Sequence, residues 1–367
     1  MEKMNVVSLF SGGGGLDLGF LKAGFKIIWA IDNEKNAVDT YRFNIGNHIK
    51  FGDINKVEYS EIPFCDVIIG GPPCQSFSLA GNRKADDKRG HLVWKYIDII
   101  KHIKPRAFLF ENVTGLLSAR NSNGEKILPL LEATFRNIGY NISSQIIDAT
   151  EFGIPQRRKR VIIVGLSGNN QFIFPCPTHG DRSTSKTPFV TVADAISDLP
   201  SASNNENAEI PYDISPMSNY QKVLRKNATN VTDHFAFSLS DLDKYIISNV
   251  KPGGNYMDIP ADVPSKRIRR LQKDGGHTTC YGRLLPTVPS YTINTYFNRP
   301  NVGCNIHYKE DRLITVREAL RLQSFPDSYK IISSSKKGRN LIVGNAVPPQ
   351  LSFILANTLK GQLMEEK

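Results

Sequence analysis

The sequence has no uninterrupted apolar run near the ~20 residues that a membrane-spanning helix requires. Cysteine is scarce, with five in 367 residues and no Cys-x-x-Cys pair, which excludes a disulfide framework of the secreted kind. Cys176-Pro-Thr-His179 and His277-Thr-Thr-Cys280 have zinc-ligand spacing, but they lie about a hundred residues apart without a glycine-supported knuckle, so no metal is expected. The opening Met-Glu-Lys-Met-Asn runs directly into a core-like segment, leaving no room for a signal peptide. There is no internal repeat. Hydrophobic residues make up 40% and charged residues 22%, which excludes a disordered or collagen-like chain. A globular, intracellular protein of two domains is expected from this length.

The first ~165 residues alternate short apolar runs with longer amphipathic ones. Strands are expected over residues 4–10, 26–31, 66–69, 107–110 and 161–164. Helices are expected over 16–23, 33–43, 92–104 and 124–137. Alternation of this kind points to βαβ units and an α/β fold with a doubly wound, mostly parallel sheet. Beyond Phe174 the character changes: Pro175, Pro177, Pro188, Pro200 and Pro211 interrupt the chain, and the βα alternation stops. The expected organisation is a catalytic domain over 1–174, a smaller irregular domain with a hinge over 175–330, and a C-terminal segment, 331–367, that returns to the first domain. Helices are expected over 315–323 and from about 348 to 363. In the latter, Leu351, Ile354, Leu355 and Leu359 form an apolar stripe.

Four constellations carry chemistry. Phe10-Ser11-Gly12-Gly13-Gly14-Gly15 stands between a strand and a helix, where glycines let the backbone approach a ligand and the helix start offers free N–H groups. Asp32 follows Gly12 by twenty residues and can accept from ribose hydroxyls; Asp53, after a further short strand, can take an adenine amino group. Alone, this loop suits a nicotinamide cofactor, another nucleoside or a plain structural turn equally well. Gly70-Gly71-Pro72-Pro73-Cys74-Gln75-Ser76 places a cysteine on a rigid turn after a strand, where a thiolate can serve as nucleophile. Phe110-Glu111-Asn112-Val113 follows a strand of the same sheet, so its acid lies beside the cysteine turn and can donate to a ring nitrogen. Gln156-Arg157-Arg158-Lys159-Arg160 is a cationic run suited to phosphate or a substrate carbonyl.

These motifs, together with Arg317-Glu-Ala-Leu-Arg-Leu-Gln-Ser-Phe-Pro326 and Gly344-Asn-Ala-Val-Pro348, stand in the order found in the cytosine-C5 DNA methyltransferases of bacterial restriction–modification systems. The chain resembles that family over nearly its whole length except ~175–280, where the family's target-recognition region varies. The resemblance implies an S-adenosylmethionine site, with S-adenosylhomocysteine as product and no metal. Phe10, Ser11, Gly12, Gly14 and Gly15 would form its loop, and Asp32, Asp53, Ile54, Pro73, Leu92 and Asn345 its walls. It implies Cys74 as the nucleophile that adds to C6 of a flipped-out cytosine, Glu111 as the group on N3, and Arg158 and Arg160 on the base carbonyl and the cysteine loop. Gln75, Ser78, Arg89, Arg283, Thr292 and Asn294 are the implied DNA contacts. A Gly-Gly-Gly-Gly loop departs from relatives with a bulkier residue there. The implied setting is the cytoplasm of a prokaryote, as a monomer on double-stranded DNA, with a cognate restriction endonuclease acting separately and no membrane. Some members methylate cytosine in transfer RNA instead; Gln75-Ser-Phe-Ser78 resembles the DNA-acting version.

Lys and Arg number 46 against 35 Asp and Glu, a formal charge of +11. The excess is local. Residues 171–311 carry fifteen cations and fourteen anions, whereas 82–106 carry eight against three and 264–283 six against one. These patches mark an expected DNA path across the mouth of the active site.

Overall fold

The computed structural model describes residues 3–73, 91–121, 123–181, 183 and 186–365. It divides into two compact units of nearly equal length. Met1–Asp148, Lys159–Cys176 and Pro349–Lys367 form the first, and Ala149–Arg158 with Pro177–Pro348 the second. Among the described residues, no helix is long and apolar enough to cross a membrane.

The first unit is built on a seven-stranded sheet of β1 (Asn5–Leu9), β2 (Lys26–Asp32), β3 (Ile49–Phe51), β4 (Val67–Gly70), β5 (Ala107–Val113), β6 (Tyr140–Asp148) and β7 (Lys159–Ser167). Their spatial order is β3-β2-β1-β4-β5-β7-β6. β1 to β5 run parallel, and β7 is antiparallel to both β5 and β6, so the sheet is mostly parallel as the alternation indicated. Helices α1 (Gly15–Lys22), α2 (Lys35–Asn44), α3 (His91–Ile103) and α4 (Ile127–Asn137) lie in the connections. The sequence does not announce β6, because Asn141, Ser143, Ser144 and Gln145 break its apolar run. It forms because it is an edge strand paired along its full length with β7, with much of it at the surface.

The chain leaves β1 toward β2 and β3, then crosses to β4 on the other side. Loops at the carboxyl ends of β1 and β4 therefore diverge, and such a switch point is where doubly wound sheets bind ligands. Gly70 closes β4 tightly against β1: a Cβ there would lie 2.5 Å from the Leu9 carbonyl oxygen. Beneath, Phe108 of β5 packs on Phe135 of α4 with ring centroids 4.3 Å apart, and Phe110 meets Tyr96 of α3 at 5.5 Å. All four rings are buried, each contributing about 1.5–3 kcal/mol. The Tyr96 hydroxyl donates to the Leu109 carbonyl at 2.9 Å, so burial costs it no hydrogen bond.

The C-terminal helix, Pro349–Glu365, packs on α1 with Leu351, Leu355, Leu359 and Leu363 buried. The Ser352 hydroxyl donates to the Leu16 carbonyl. Gly19 permits this approach, since a Cβ on it would overlap Ser352 and the backbone nitrogen of Phe353.

The second unit holds α5 (Val192–Ile196), α6 (Asn219–Arg225), α7 (Asp241–Asn249), α8 (Lys266–Asp274), α9 (Val316–Leu322) and α10 (Lys336–Asn345), with strands of two or three residues between them. One part is held by an apolar cluster that includes Ile246, Ile247, Tyr256, Ile268, Tyr281 and Ile306. Another is ionic. Arg317 and Arg321 are fully buried; Arg321 pairs with Asp198 and with Asp327 at 2.6 Å, and Arg317 donates to the Thr232 carbonyl at 2.9 Å. Buried charge is tolerated when paired this completely. Helix α10 has no apolar periodicity to announce it, because Gly338, Arg339 and Asn340 are among its buried residues.

Gly19→Ala is expected to lower stability by about 1–3 kcal/mol, the usual cost of overpacking. Urea unfolding of the variant checks this, and an unchanged midpoint would mean that the two helices have room to spare.

Candidate active site

The first cluster of site residues gathers around the end of β1. Phe10 has φ 57°, a strained value for a residue with a side chain, and it turns the chain sharply out of the strand. Gly12 and Gly14 also have positive φ, and Gly14 is the N-cap of α1. A side chain at Gly14 would collide with Ile45 and crowd the Tyr41 ring. Asp32, at the end of β2, accepts from the backbone N–H of Gly12 and of Glu34, both at 2.8 Å, and so ties the glycine loop to the turn after β2. Burial pushes its carboxyl above the ordinary value, against the two backbone donors that favour the charge. After β3, Asp53 caps a short helical turn by accepting from Asn55, and Ile54 is buried. Phe10 and Leu92 pack half-buried against the apolar cluster that contains Ile54. Glycine N–H groups, carboxylates and an apolar wall thus share one rim of the sheet.

Under this loop lies a network that the sequence reading does not anticipate. Ser11 donates to the Ser8 hydroxyl at 2.9 Å, and Ser8 donates to Asp17 at 3.0 Å. From the other side the Tyr41 hydroxyl donates to Asp17 at 2.9 Å and stands 3.0 Å from Nε2 of His48. Because Tyr41 has one O–H and spends it on Asp17, His48 must donate from Nε2. Asp17 is wholly buried and carries no cation partner, so burial pushes its carboxyl up to about 6. Its sequence signal was an acid in the first helical turn, which reads equally well as a dipole partner.

The second cluster joins the ends of β4 and β5. Glu111, 8% exposed, holds an ion pair with Nε of Arg160 at 2.7 Å. The pairing is set by register: Val113 of β5 lies opposite Arg160 of β7, with Glu111 opposite Ile162, so acid and base are diagonal neighbours on one face. Gly71 fits under the acid, where a Cβ would come within 2.8 Å of its Oε2. The next residue along β5, Asn112, donates from Nδ2 to the Pro72 carbonyl at 2.9 Å. It thereby anchors the Gly71-Pro72-Pro73 turn from which the chain continues to Cys74. Cys74, Gln75, Ser78 and Arg89 lie outside the described residues.

Other expected residues sit differently. Arg158 belongs to the second unit and is fully buried, donating to the carbonyls of Ile293 at 3.0 Å and Gly344 at 2.9 Å. It braces backbone there and offers no exposed face to a base carbonyl. Arg283, expected at DNA, is likewise 4% exposed. It donates to the carbonyls of Val250, Ile247, His307 and Glu310 and to the Asp311 carboxylate, so all its hydrogens are committed inside the unit. Within the unit it is a structural clamp. Thr292 is exposed, with its hydroxyl on the Arg157 carbonyl; Asn294 accepts from the Tyr296 N–H; Asn345 is exposed at the end of α10. Glu34 escaped the sequence reading altogether. It shares the rim with Asp32 and accepts from Asn36 at 2.7 Å, its signal being a second carboxylate two residues after the first.

Solved structures share this architecture over almost the entire chain. One is an E. coli prophage protein described as a DNA modification methyltransferase, with TM-score 0.75 and 24% identity over 99% of this chain and 100% of that one. Another is the Dnmt2 methyltransferase of S. pombe, with TM-score 0.60 and 19% identity over 98% and 99%. Such identities speak for the fold alone. The sequence narrows this further. The profile of the C-5 cytosine-specific DNA methylases matches residues 4–361, and the chain belongs to that family. Among its relatives are the type II methyltransferases M.NgoFVII of Neisseria gonorrhoeae, 36% identical over 98% of this chain and 87% of the relative, and M.AgeI of Thalassovita gelatinovora, 32% identical over 97% and 99%.

Because Asp17 has a folded pKa raised above its unfolded value, its favourable contribution is complete below pH ~4 and is lost as pH rises through about 6. Asp17→Asn should therefore be less stable than the wild type near pH 4 and gain on it by on the order of 2–3 kcal/mol by pH 7. Melting curves of both proteins across that range check it; a pH-independent difference would contradict the buried, unpaired carboxylate.

Proposed function

We propose that this protein is a type II modification enzyme that methylates C5 of a cytosine flipped out of duplex DNA, through a covalent adduct between Cys74 and C6 of the base. The observation that carries this reading is the Glu111–Arg160 pair beside the Asn112–Pro72 latch, because it aims an acid and a cation at the turn that leads to Cys74. C6 is out of reach in a stacked duplex, so the base must leave the helix.

S-adenosylmethionine supplies the electrophilic methyl group. The rim fits it: the carboxylates of Asp32 and Glu34 suit ribose hydroxyls, and Phe10, Ile54 and Leu92 provide an apolar wall for a purine. The Cys74 thiolate adds to C6, and a proton shared between Glu111 and N3 of the base takes up the charge, leaving C5 an enamine carbon that attacks the methyl group. Transfer of the C5 proton to solvent expels the Cys74 thiolate and restores the aromatic ring, and the proton on N3 returns to Glu111. Among the described residues Arg160 spends Nε on Glu111 and one further hydrogen on the Lys159 carbonyl, which leaves the rest of its guanidinium to hold the base carbonyl. The enzyme acts as a monomer, with any cognate restriction endonuclease a separate chain.

Transfer of labelled methyl from S-adenosylmethionine to DNA and to RNA, followed by mapping, tests the reading. The wild type is expected to label cytosine C5 in DNA, and label confined to RNA would overturn the substrate. Cys74→Ala should abolish transfer while retaining cofactor binding; substantial residual turnover sinks the adduct. Glu111→Ala should slow transfer on the order of 10²–10⁴-fold at saturating substrate, and a loss of only a few-fold would reduce the acid to a scaffold.

A further inference from the structure

The second unit carries its positive charge very unevenly. Residues 171–311 hold fifteen cations and fourteen anions, yet five of those cations, Lys266, Arg267, Arg269, Arg270 and Lys273, stand on the nine residues of α8. At ~100° per residue these five fall within an arc of about 160° on one side of the helix. Ile268, Leu271 and Gln272 fall on the other side. That inner side is firmly seated: Ile268 is buried in the apolar cluster, Leu271 packs on it, and Gln272 donates to the carbonyls of Tyr256 at 3.0 Å and Ile259 at 2.6 Å. Ser265 caps the helix by accepting from the Ile268 N–H. All five cations are exposed.

An ordinary solvated helix face mixes signs, because like charges three and four apart repel. Here 266–269, 266–270, 269–273 and 270–273 are all such like-charged pairs, and one acid, Asp274, offsets them by pairing with Arg270 at 3.4 Å. Among the described residues, Lys266, Arg267, Arg269 and Lys273 have no carboxylate within ion-pair distance. Some other surface cations of the unit do, as in Lys244–Asp241 and Lys330–Glu209. Four unneutralised charges held on one rigid face form a surface shaped for a polyanion. A nine-residue helix is ~13 Å long, and duplex DNA carries one phosphate charge per ~1.7 Å of axis, so one stretch of backbone faces the entire row.

We propose that α8 is a phosphate-backbone clamp of this enzyme. It docks on the sugar–phosphate chain of duplex DNA, sets affinity and salt dependence, and takes no part in choosing the cytosine. The inference rests on duplex DNA being the substrate.

The test uses the full-length protein, a labelled duplex of random sequence and a duplex RNA of the same sequence, with binding followed by anisotropy across a KCl series. Lys266→Gln/Arg269→Gln/Lys273→Gln should lower the slope of log K against log[KCl] by about 3 and weaken DNA binding on the order of 10²-fold at 0.1 M salt. Its melting temperature, its kcat at saturating DNA and its pattern of methylated cytosines should match the wild type. Arg267→Lys/Arg269→Lys keeps the charge and should keep the slope. If the triple variant binds DNA with unchanged slope and affinity while methylation proceeds, α8 is a solvated surface and the clamp is overturned, with the methyltransferase reading intact. Loss confined to RNA, or a changed methylation pattern, also overturns it. A wild type that neither binds nor methylates duplex DNA removes both.

Discussion

The antiparallel pairing of β7 with β5 fixes the position of Glu111, and the arrangement at the ends of β4 and β5 depends on it. Side chains alternate across a strand, so a slip of one residue would send Arg160 to the opposite face and leave an acid at the strand end without its cation. Two neighbours depend on the same register. Gly71 can lie under the carboxylate because it lacks a side chain, and Asn112, one residue on, points to the Pro72 carbonyl. A parallel strand at this place would have entered from the far edge of the sheet. The reversal of β7 brings the end of a cationic run directly to the acid.

The glycine loop is held by a different means. Its support comes from below: Asp32 fastens the turn, and Ser8 and Ser11 link it to Asp17. Donors from Ser11, Ser8, Tyr41 and His48 all run toward that one carboxylate. A network of this type specifies a single loop conformation, at the cost of burying a charge that has no cation beside it.

Much of this was legible in the sequence, and the exceptions have physical causes. Strands β1, β4 and β5 are apolar on both faces, so their ends, and with them Phe10, Pro73 and Glu111, could be located from runs of Val, Ile, Leu and Phe. β6 escaped because an edge strand buries too little to keep an apolar pattern, and α10 because Arg339 and Asn340 are buried along with Ile342 and Val343. Arginine is the hardest side chain to place from local sequence. In a list of residues Arg158 and Arg283 look like surface cations awaiting phosphate; in the fold each is a hub whose hydrogens reach several carbonyls. The number of acceptors around a guanidinium is a property of tertiary structure, and nothing local in the sequence reports it. Asp17 and Glu34 were passed over for the opposite reason, since acids beside a helix start have an ordinary explanation.

The seating of the C-terminal helix on α1 has a consequence for the birth of the protein. Gly15–Lys22 is made long before its partner, Pro349–Glu365. At ~5–20 residues per second, roughly 15–60 s of synthesis separate the two halves of that contact. Through this interval the nascent first unit waits with a glycine-lined helix face bare, while the entire second unit is translated in between. A message interrupted in that interval therefore yields a polypeptide that carries the strands of the first unit but lacks the helix that covers α1.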